Sequence, residues 1–140
     1  MLSHAPVNHP LRPVYRLIAG LAAVVTIVLG GIGFAATASH DYFGPSAGSV
    51  LGLGMNPGHG LLMAGTGVVV LLALLIGRNV DQVLLLLLGI GLMAAGTLGL
   101  VLMRTDINFL NYRMPNVIVA YVIGSLLLTA GLYVKSGRSA

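Results

Sequence analysis

The side chains able to do chemistry in this sequence are few, and most fall in two segments between long apolar runs. Ser39 to His59 carries His40, Asp41 and His59, and Arg104 to Asn116 carries Arg104, Asp106 and Arg113. Two imidazoles with a carboxylate from Asp41 or Asp106 form a nitrogen–oxygen donor set of the kind that holds a divalent metal. Their spacing, however, gives neither H-x-x-x-H nor H-E-x-x-H, and histidine beside a membrane interface is commonly polar punctuation. Ser46 and Ser49 lie in a Gly/Ser/Pro-rich stretch without the G-x-S-x-G turn that activates a hydrolase serine. There are no cysteines, which removes disulfides, thiolate metal sites and thiol catalysis. The expectation is a non-enzyme with no metal and no cofactor. A weaker reading makes His40 and His59 a sensor of external pH. Asp106 is expected to form an interfacial ion pair with Arg104 or Arg113, or a headgroup contact, worth about 0–1 kcal/mol. Tyr42, Phe43, Phe109 and Tyr112 fit an aromatic interface belt on that side, with Tyr15 and Tyr133 on the other.

The elements that position these residues are four apolar runs, Tyr15–Thr37, Gly60–Gly77, Val83–Met103 and Val117–Val134. Beyond Arg16 at the start of the first, they contain no Asp, Glu, Lys, Arg or His. A helix rises ~1.5 Å per residue and needs ~20 residues to cross the hydrocarbon core, and backbone in lipid must pair internally. With 57% hydrophobic residues, 7% charged and a mean hydropathy of +1.00, the chain predicts an all-α integral membrane bundle. An arm (1–14) and a tail (135–140) flank a transmembrane domain (15–134). The isoelectric point near 10.0 comes without a Lys/Arg run, so the net +4 points to lipid headgroups and not to nucleic acid. Arg12, Arg16, Arg78, Lys135 and Arg138 fall on one side of this topology, against Arg104 and Arg113 on the other. The positive-inside bias then puts both termini in the cytoplasm. Arg12, Arg16 and Ala36-Thr37-Ala38 imitate a signal peptide, but the run between them is longer than the ~7–15 residues of a typical signal and three more spans follow.

Small residues mark the expected helix contacts. Gly91, Ala95 and Gly99 recur at i, i+4 and i+8; Ala22, Thr26 and Gly30 repeat the pattern; Ala120 and Gly124, extended by Asn116, offer a third face. Thr26, Thr66, Thr97, Ser125 and Thr129 are expected to add hydroxyl bonds between helices. Gly77 to Gln82 is short enough for a helical hairpin, with Asp81 and Arg78 placed to suit the helix dipoles. No charge at membrane depth, all six prolines outside the runs and no paired histidines argue against a proton pump, an ion-coupled transporter, a voltage sensor or a haem carrier. The favoured function is an accessory subunit packing against other membrane proteins in a larger complex, respiratory or envelope-synthesising. The alternative is a small oligomeric channel or carrier for a neutral or lipid-like solute, lined by Thr66, Thr97, Ser125 and Thr129.

Asn8-His9-Pro10-Leu11-Arg12-Pro13 with Tyr15-Arg16, Gly77-Arg78-Asn79-Val80-Asp81, Thr105-Asp106-Ile107-Asn108-Phe109-Leu110-Asn111 and Gly131-Leu132-Tyr133-Val134-Lys135 resemble the bacterial membrane family called domain of unknown function 4383. That resemblance implies a small four-helix protein of the actinobacterial cytoplasmic membrane. The family has no assigned activity, so no catalytic residue carries over, and Gly44 to Gly58 has no match among its motifs.

Overall fold

Each apolar run folds as one helix, and three of the four helices take a proline into their first turn, where its missing N–H has no intrahelical partner to lose. The computed structural model describes residues 4–44 and 48–137. The helices are α1 (Arg12–Thr37), α2 (Pro57–Ile76), α3 (Val80–Leu102) and α4 (Met114–Tyr133). Pro13, Pro57 and Pro115 therefore lie inside helices, correcting the expectation that every proline stands outside the spans. The helices also begin about a turn earlier than hydropathy alone suggests, because polar residues can open a helix. Asn56, for example, caps α2 by accepting from the His59 N–H at 2.8 Å. All four are long and apolar enough to cross a membrane, as a multi-pass membrane protein requires.

Helix α1 packs along α2 and α3 along α4, while the α1–α4 and α2–α3 seams are looser. Glycine sets the two tight seams. A Cβ on Gly30 would fall 2.6 Å from the Gly60 carbonyl oxygen, and one on Gly89 would fall 2.9 Å from that of Gly124. At these crossings backbone meets backbone, which is how helices associate where lipid removes the hydrophobic drive. Ala19, Ala22, Ala23, Val70, Leu85, Leu127 and Ala130 fill the buried centre.

The expected small-residue faces are placed unevenly. Ala22, Thr26 and Gly30 are buried, and the Gly30 position lies against Gly60, Met63 and Ala64 of α2; Ala120 and Gly124 are buried, with Gly124 against α3. Gly91 faces open space, with nothing within 4 Å of a Cβ built there, and Gly99 meets the Tyr112 ring. The buried glycines of α3 are Gly89 and Gly96, a different face from the 91/95/99 stripe. At roughly 100° per residue, Gly91 stands about 200° around the helix from Gly89, so one of the two must point away from α4.

The hydroxyls also depart from expectation. Thr26, Thr66 and Thr97 donate to the carbonyls of Ala22, Leu62 and Met93 four residues back, at 2.7, 2.8 and 3.0 Å, and Ser125 donates to Val122 at 2.9 Å. The preceding turn is the nearest acceptor a helical hydroxyl has. A bond between helices is made by Thr97 and the Tyr121 hydroxyl, 2.7 Å apart. Thr97, Ser125 and Thr129 are exposed on outward faces, so a single copy gathers them around no common lumen.

Candidate functional site

The two ends of the bundle are built differently. At the end holding the termini, Asp81 is fully buried and accepts from Arg16, while the Arg12 Nη2 lies 3.7 Å from the same carboxylate oxygen. Arg16 also donates to the Leu74 carbonyl, and Arg12 Nε donates to that of Val134 at 2.7 Å. Because α1 begins at Arg12, the two arginines stand at i and i+4 on one face and reach the other three helices together. This corrects the reading of Arg12, Arg16 and Asp81 as separate orientation and dipole charges.

Asparagines complete the closure of that end. Asn79 pairs with the backbone of Ser136 at 2.8 and 2.9 Å, and Asn8 with that of Gly137 at 3.1 Å in both directions. The turn between α2 and α3 is made by Gly77, Arg78 and Asn79, all with positive φ. Tyr15 stacks on Tyr133, their ring centroids 4.8 Å apart. Arg138 lies outside the described residues.

At the opposite end the segments flanking α2 and α4 are knit together by asparagine amides. Asn116 bonds both the N–H and the carbonyl of Gly54, at 2.8 and 2.7 Å. Asn111 donates to the carbonyls of Gly48 and Met55, and Asn56 to those of Phe109 and Gly44. A short antiparallel ribbon, β1 (Ser49–Val50) with β2 (Leu53–Gly54), lies beneath. Gly54 is required here, because a Cβ would stand 1.9 Å from the Asn111 carbonyl oxygen.

Of the polar cluster expected at this end, His59 alone is interior. It is buried, its Nδ1 donates to the Leu110 carbonyl at 2.9 Å, and its ring stacks on Tyr112 with centroids 5.0 Å apart. His40, Asp41, Arg104, Asp106 and Arg113 are exposed. Among the described residues no ion pair joins Asp106 to Arg104 or Arg113, correcting the expected interfacial pair, and no three His, Asp or Glu residues are grouped to hold a metal. Ser46 lies outside the described residues, and Ser49 sits in the ribbon without a helix behind it.

Tyr112 is the residue that sequence reasoning misplaced. Expected in an exposed aromatic belt, it is only 8% exposed, with its ring inserted between Gly99 of α3 and His59 of α2. Phe109, Tyr42 and Phe43 remain exposed around it. Burial pushes the Tyr112 pKa above the ordinary 10.0, and among the described residues nothing hydrogen-bonds its hydroxyl. A cavity of about 220 Å³ runs from Tyr112 and His59 down the loose α2–α3 seam, past Leu62, Met63, Thr66, Leu88, Gly91, Leu92 and Ala95. On the far side of Leu110 and Tyr112 a second recess, of about 140 Å³, lies over Leu98, Gly99 and Leu102. The pairing of glycine at 99 with an aromatic thirteen residues on was the available signal, but nothing local ties the two together.

No protein-family model, curated protein or solved structure matches the chain. Its own residues give two closed polar ends, a tightly packed middle and one open seam.

Proposed function

We propose that the protein is a non-enzymatic subunit of the bacterial cytoplasmic membrane, with both termini inside, which packs against a larger membrane assembly such as a respiratory or envelope-synthesis complex. Kinship with domain of unknown function 4383, and with it an actinobacterial origin, is part of the same proposal and rests on the motif residues named above. The observation that carries the reading is the division of the glycines into two sets. Gly30, Gly60, Gly67, Gly89, Gly124 and Gly131 are consumed by contacts inside the bundle, whereas Gly31 of α1 and Gly65 of α2 face outward with nothing within 4 Å. Smooth, unfilled glycine positions on exposed apolar faces are where a second transmembrane helix approaches closely. The polar groups, by contrast, are largely spent on closing the two ends.

Gly31→Leu and Gly65→Leu test this without touching the fold, since both side chains enter open space. Each is expected to reduce what co-purifies with the tagged protein after gentle detergent extraction, with the bundle still monodisperse and helical. Undiminished recovery of the same assembly with both substitutions in one chain refutes the reading.

A further inference from the structure

We draw no further inference here: the strongest candidate, the buried Gln82 amide in the first turn of α3, has no partner for its Nε2 among the described residues but lines neither of the two recesses, and nothing in the structure shows what would reach it.

Discussion

Replacing Asp81 by Asn removes the negative charge on which Arg12 and Arg16 converge, while keeping the shape and one carbonyl acceptor. Taking one partner from a fully buried pair costs about 3–5 kcal/mol, mostly because the remaining charge is stranded. Here the carboxylate is completely buried but the arginine side chains are each 26% exposed, so water relieves part of the penalty. Both arginines also keep their bonds to the Leu74 and Val134 carbonyls. The expected loss is therefore about 2–3 kcal/mol, below the full range for a buried pair. Unfolding in mixed micelles of mild detergent and dodecyl sulfate, followed by far-ultraviolet circular dichroism, measures it. The double variant Asp81→Leu with Arg16→Met supplies the second reading: apolar replacement of both partners is expected to recover most of the loss, since buried ion pairs exchanged for well-packed apolar groups are often neutral. A loss under about 0.5 kcal/mol for Asp81→Asn, the range of an ordinary surface substitution, refutes the idea that this cluster joins the helices.

Two further outcomes follow from the opposite end. Asn116→Ala strips partners from the buried N–H and carbonyl of Gly54, and is expected to destabilise by about 2–4 kcal/mol and to raise amide exchange across 48–56, read by hydrogen–deuterium exchange. In an alkaline titration followed by ultraviolet absorbance, one of the five tyrosines is expected to ionise above the ordinary 10.0, and Tyr112→Phe removes that late step. The sign is fixed by linkage: the unfolded chain gives up this proton first, so the stabilising contribution is present below pH 10 and is lost as pH rises through the folded-state value. A titration unchanged by Tyr112→Phe contradicts the burial of that ring.

The spans were legible because apolar runs of this length have one solution in lipid, and the turn at 77–79 because Gly77 and Asn79 tolerate positive φ. Which face of a helix meets its neighbour was not. In α3, glycines at 89, 91, 96 and 99 write two overlapping small-residue stripes, and only the partner surface of α4 chooses between them. The polar ends were hidden for another reason. Arg16 and Asp81 are 65 residues apart, and Asn116 and Gly54 are 62 apart, so no local pattern announces either contact. His59 and Asp106 looked alike as loop residues able to bind something. What separates them is that α2 starts early enough to carry His59 inward, whereas Asp106 stays on an exposed turn.

The ties at the terminal end also order events during synthesis. Asn8 and Arg12 hold Val134, Lys135 and Gly137, residues made more than a hundred positions later. The α1–α2 hairpin can close around Gly30 and Gly60 as soon as it enters the bilayer, but the amino-terminal arm has nothing to grip until the last helix is in place. The arm is thus a latch that engages only on a finished chain. A protein truncated within α4 retains one complete hairpin and carries an unlatched arm.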